Sequence, residues 1–133
     1  MNKEYLRALI IAEKALKDMD IIYDNAECEE FEDVKAYKAM EKLIEDIDTF
    51  VSDIKHYSKD TKQGYLRINN NNRYIINDIE LSSGFPIEVY NVEYQEWEAG
   101  RIEHSSKYGG YYFKNYDGNN IVLSDGIIAR IRV

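Results

Sequence analysis

Two histidines, His56 and His104, and a single cysteine, Cys28, are the softest metal ligands in this 133-residue chain. A zinc site needs three or four such side chains, or carboxylates, converging within a few ångströms. Cys28 and His56 fall near opposite ends of one expected helix, ~42 Å apart at the helical rise, so they share no metal. His104 stands beside Glu103 at a strand end, and strand neighbours face opposite sides; it reads as a surface or loop-anchoring residue. Ser82, Ser83, Ser105, Ser106 and Ser124 sit at turns, where serine bonds locally, and none lies in a Gly-x-Ser-x-Gly elbow. Gly109-Gly110 lacks the spacing of a phosphate-cradling loop. The acid pairs Asp18/Asp20 and Asp46/Asp48 are two apart on helices and diverge. With no convergent acid–base set, we expect no catalytic, metal or cofactor site and a non-enzymatic protein.

Aromatic and arginine residues offer a different chemistry. Alternation around Phe113 puts Tyr111 on its face and Tyr112, Lys114 and Tyr116 on the other. The same alternation at Ala129, Ile131 and Val133 turns Arg130 and Arg132 outward. With Tyr90, Trp97 and Arg101 these residues compose an aromatic-and-arginine surface, the composition of binding hot spots and also of base-stacking platforms. The competing reading buries Trp97 and most tyrosines as core filling.

Charge is unevenly divided. The net charge is −8, of which residues 1–63 hold 16 acids and 10 bases and residues 64–133 hold 9 acids and 7 bases. An acidic helical surface, with Glu29, Glu30 and Asp33 foremost, suits a partner with a basic groove or is simply a solvated face. Tight non-specific phosphate binding needs several cations and fits this balance poorly. The lone cysteine excludes an internal disulfide and agrees with a reducing compartment, and the longest apolar run, Ala8–Ala12, is far short of the ~20 residues of a membrane span. No membrane association is expected, and the expected location is cytoplasmic. Abundant Asn, Ile, Lys and Tyr, all with AT-rich codons, point to a low-GC source.

The elements that must position these residues change character near Gly64. Before it, apolar residues recur at helical spacing: Leu6, Leu9, Ile10, Leu16 and Met19 predict a helix over Asn2–Tyr23. Val34, Tyr37, Met40, Ile44, Ile47, Val51 and Ile54 predict a second over Glu27–Tyr57, with Leu43, Phe50 and Tyr57 as a flanking stripe. Asn25 is the expected cap of the second helix. The two should pack as an antiparallel hairpin, with an apolar stripe left for a partner or for a homodimer through the helices. After Gly64, short alternating runs separated by Asn and Gly predict strands at 64–68, 73–76, 86–92, 96–104, 110–115, 120–123 and 127–133, with a hairpin at Asn69–Asn72. The fold class is therefore α+β: a helical hairpin over 1–63, then a small SH3-like antiparallel β-barrel over 64–133.

Leu81–Val89, Trp97–His104, Gly110–Phe113 and Ile127–Val133 resemble a small SH3-like domain family of unknown function from plasmids, phages and integrative elements of low-GC Gram-positive bacteria. The resemblance spans Gly64 to the end and leaves out the helices. It implies a mobile-element protein and carries no catalytic residues. Together with absent chemistry and acidic charge, it leads to an expected protein-binding module, a stoichiometric inhibitor of a host defence system of the anti-CRISPR kind. The alternative is a nucleic-acid-binding regulator using Arg67, Arg73, Arg101, Arg130 and Arg132.

Overall fold

A computed structural model describes all residues, Met1–Val133, as two compact units, Met1–Lys59 and Asp60–Val133. The first contains helices α1 (Lys3–Asn25) and α2 (Phe31–Tyr57). Asn2 caps α1, its side-chain oxygen accepting from the Glu4 N–H at 2.9 Å, which satisfies one of the orphan donors at a helix start. The helices run antiparallel, since Tyr23 near the end of α1 stacks on Tyr37 near the start of α2 while Glu13 pairs with Lys55. Half-buried Leu9, Ala12, Leu16, Met19 and Tyr23 form the α1 side of the seam, and Tyr37, Met40, Ile44, Ile47 and Val51 the α2 side.

The start of α2 differs from expectation. Asn25 belongs to α1, where its amide donates to the Ile21 carbonyl, and Glu30 is the N-cap of α2. Asp33 reaches back so that Oδ2 accepts from both the Glu29 and Glu30 N–H groups at 3.2 Å, completing a capping box. Glu27, Glu29 and Glu30 therefore lie ahead of the helix. The acids offered as a partner surface have a local duty in shaping the α1–α2 connection.

The second unit begins earlier than the change of hydrophobic period. Strand β1 covers Thr61–Tyr65 and pairs with β9 (Ile128–Arg132) from Thr61↔Arg132 to Tyr65↔Ile128. Thr61, Lys62 and Gln63 are exposed edge residues, so no apolar alternation announces them. The remaining strands are β2 (Arg67–Ile68), β3 (Tyr74–Ile76), β4 (Ile79–Glu80), β5 (Pro86–Asn91), β6 (Glu96–Ser105), β7 (Gly110–Asn115) and β8 (Ile121–Val122), with one 3-10 turn at Ser106–Tyr108. They form two antiparallel sheets, a six-stranded one in the order β1-β9-β5-β6-β7-β8 and a three-stranded one in the order β2-β3-β4. The ladder leaves β1 and β8 as the edges of the larger sheet.

Alternation places the core. Ile87 and Val89 of β5, Ile102 of β6, Phe113 of β7 and Ala129 and Ile131 of β9 are buried on one face of the larger sheet, with Leu66, Ile76, Leu81 and Leu123 packed onto them. Gly100 is required here, because a Cβ would collide with the Lys114 carbonyl and the Phe113 ring. The Asn69–Asn72 hairpin forms as predicted. Asn69 Oδ1 accepts from the Asn71 and Arg73 N–H groups at 3.0 Å, and Asn72 takes the left-handed conformation at φ 61°, which asparagine tolerates.

Candidate functional site

The face of the larger sheet opposite the core gathers most of the residues singled out above. The registers Tyr90↔Trp97, Glu88↔Ala99, Arg101↔Lys114, Glu103↔Tyr112 and Glu88↔Arg130 set these side chains on one face, because each is one step from a core position. Tyr116 lies just beyond β7, where its N–H donates to the Ala99 carbonyl and extends the ladder by one step. Tyr90, Trp97, Arg101, Tyr112, Arg130 and Arg132 thus share a surface, with Tyr116 at its margin. Glu29, Glu30 and Asp33 belong to the other unit.

Glu88 organises the centre. Only 6 % exposed, it would be costly to bury without partners, and it has two. Arg130 donates from Nε at 3.0 Å and Nη2 at 2.8 Å to Oε1. Arg132 donates from Nε to Oε2 at 2.8 Å and from Nη2 to Oε1 at 2.9 Å. Burial pushes the Glu88 carboxyl upward, but the hydrogen bonds and charges of Arg132 and Arg130 outweigh it, and the pKa lies below the ordinary glutamate value. Arg130 and Arg132 do point away from the core as alternation requires. They are nevertheless largely covered, because their guanidinium groups lie along this carboxylate, their side chains 23 % and 14 % exposed.

Aromatic groups frame that triad. The Arg130 guanidinium sits 4.2 Å from the Trp97 ring centroid, within cation–π range. Tyr90 packs against Trp97 with centroids 5.1 Å apart. Trp97 is therefore half-buried on the outer face, and the core-filling alternative falls to Phe113 instead. Along β7, Tyr112 stacks on Tyr108 of the 3-10 turn at 4.2 Å, and Tyr116 is 55 % exposed. Arg101 Nε lies 2.8 Å from Glu103 Oε1, yet its N–H points off that line and makes no hydrogen bond although the atom is buried.

Glu88 and Tyr108 escaped the sequence reading, and Glu103 entered it only as the neighbour of His104. Glu88 sits between Ile87 and Val89 like any solvent-facing strand residue, and its partners are 42 and 44 positions away. The available signal was the Arg130-x-Arg132 repeat on one strand, which needs a carboxylate if it is covered at all. Elsewhere, His104 packs edge-on against Tyr111 at 4.8 Å. No group of three His, Cys, Asp or Glu residues is disposed to hold a metal ion, and no helix is long and apolar enough to cross a membrane.

Residues 57–131 match the family described as a domain of unknown function (DUF5348), over more than half of the chain. The chain belongs to this family. No curated protein and no solved structure matches it. The DUF5348 match takes in the outer face from Tyr90 and Trp97 through Tyr112 to Arg130, with Arg132 one residue past its end, while the α1–α2 connection lies outside the match.

Proposed function

We propose that this chain is a non-enzymatic protein-binding module whose docking surface is the outer face of the six-stranded sheet. The observation that carries this reading is the Glu88–Arg130–Trp97–Tyr90 constellation. Tryptophan, tyrosine and arginine dominate protein hot spots, and here a buried carboxylate bonds the arginine that packs on Trp97, which in turn packs on Tyr90; such preorganisation lowers the entropy lost on docking. The nucleic-acid alternative is less well supported. Arg130 and Arg132 are committed to Glu88, Arg101 pairs with Glu103, and Arg73 pairs with Glu80 at 3.3 Å. Four of the five arginines named for phosphate contact therefore already face a carboxylate, and phosphate binding depends on unspent cations. The finer form of the proposal, stoichiometric inhibition of a host defence system, draws on the resemblance to a mobile-element family and on the acidic composition.

The test uses the tagged full-length chain and its Trp97→Ala and Tyr112→Ala variants to capture partners from host-cell extract, with circular dichroism verifying that each variant is folded. A partner retained by the native chain and lost by the folded variants is the expected result. Equal capture by all three chains, or no captured protein, overturns the reading.

A further inference from the structure

Arg101 and Lys114 stand directly opposite each other across β6 and β7, an arrangement of like charges that destabilises a sheet. Natural sheets favour opposite charges at such positions, and the local carboxylates are largely spoken for. Glu88 is fully engaged by Arg130 and Arg132. Glu98 lies on the opposite face and accepts from Asn91 at 3.0 Å and Asn115 at 3.3 Å. Glu103 touches Arg101 only off-axis, so the buried Arg101 Nε–H makes no hydrogen bond. Lys114 is exposed and has no ion-pair partner. On this face four cations, Arg101, Lys114, Arg130 and Arg132, stand against two carboxylates, Glu88 and Glu103. The excess is positive, in a chain whose net charge is −8.

Resting on the docking reading above, we propose that Arg101 and Lys114 form a carboxylate-binding subsite that receives an aspartate or glutamate side chain from an acidic segment of the partner protein. The incoming carboxylate relieves the like-charge pair by bonding Lys114 and the exposed part of the Arg101 side chain, which is 40 % exposed and keeps its contact with Glu103, giving charge-assisted bonds stronger than neutral ones. Tyr112 of β7, stacked on Tyr108, and the exposed Tyr116 just beyond the strand flank Lys114 along the chain and offer apolar surface beside the subsite. A residue beside the acid in the partner can pack there. Nucleic acid suits the subsite less, because Glu103 would lie against successive phosphates and the unmatched positive charge is small.

The probe is a short peptide alternating aspartate and leucine, titrated into the isotope-labelled full-length chain and followed by amide chemical shifts. We expect saturable shifts confined to residues around Arg101, Tyr112, Lys114 and Tyr116, weakened by added salt. Lys114→Glu should weaken binding by roughly tenfold, whereas Lys114→Arg should keep it. No saturable shift, an equal response to a lysine–leucine peptide, or a stronger response to a single-stranded oligonucleotide overturns the subsite. Partner capture separates this inference from the reading beneath it. If a folded Arg101→Gln/Lys114→Gln chain captures the partner as well as the native chain while Trp97→Ala does not, the docking face stands and the carboxylate subsite falls.

Discussion

The two units of this protein bury their apolar residues very differently. The β unit contains ten of the eleven buried hydrophobic residues, and the helical unit only Val51. Length does not explain the contrast, since the units have 59 and 74 residues. Geometry does. A two-helix hairpin has one seam, so each helix covers only one stripe of its partner and leaves the rest to solvent. Ile10 and Ile11, each 71 % exposed, and Ile21 and Ile22 lie off that seam. The β unit closes a second sheet and several loops over one face of the first, so its inward side chains are covered from both sides. Most of the hydrophobic stabilisation therefore resides in the β unit, and the helices rest on a thin seam reinforced by polar contacts such as the 2.7 Å bond from Tyr23 Oη to Glu41.

This contrast can be broken most forcefully at Phe113. Phe113→Ala leaves a cavity over Gly100 and should destabilise the β unit by about 3–5 kcal/mol, read by denaturant unfolding through Trp97, the sole tryptophan. The helical signal at 222 nm should respond less; parallel loss of both signals would mean that the two units unfold as one. Next in size is Glu88→Gln, which strips the charge from beneath two arginines and should cost roughly 2–3 kcal/mol. It should also flatten the pH profile. The folded Glu88 carboxyl binds its proton less readily than the unfolded one. Its stabilisation is thus complete above the ordinary glutamate range and is lost as pH falls through the depressed folded value. Acid titration of β-unit stability should show that loss in the native chain and not in Glu88→Gln.

Smaller effects are expected in the helical unit. Leu16 is only half-buried, so Leu16→Ala should cost about 1–2 kcal/mol, below the range for a full core site. The loss should register in helical dichroism while Trp97 emission stays unchanged. Asp33→Ala should have the least effect, about 1 kcal/mol for a lost cap, seen as faster amide exchange at Glu29 and Glu30. A larger loss there would show that the connection carries more of the hairpin's stability than its hydrogen bonds indicate.

How far the sequence foretold this arrangement depended on the reach of each signal. The helical stripe from Val34 to Ile54 and the alternation around Phe113 and Ala129 are local, and they located α2, β7 and β9 with the correct inward faces. Those faces in turn directed Tyr112, Tyr116, Arg130 and Arg132 away from the core. Pairing was less legible. β2, β4 and β8 have two residues each, too few for alternation to say which sheet they join. The start of α2 was misplaced because an acid-rich run reads equally as a first turn or as the approach to one, and the capping box between Glu30 and Asp33 decides it. The burial of Glu88 depends on partners from β9, a relation that no short window contains.

The margins of the larger sheet bear on self-association. An unpaired strand presents free N–H and C=O groups to any passing chain and can seed polymers. β8 limits that hazard by brevity, offering only Ile121 and Val122. β1 is longer, and it meets solvent with Thr61, Lys62 and Gln63 rather than with an apolar row. A charged and polar margin of this kind discourages edge-to-edge pairing of one copy's sheet with another's, so the molecule can expose an aromatic outer face without offering its rim as a template for aggregation.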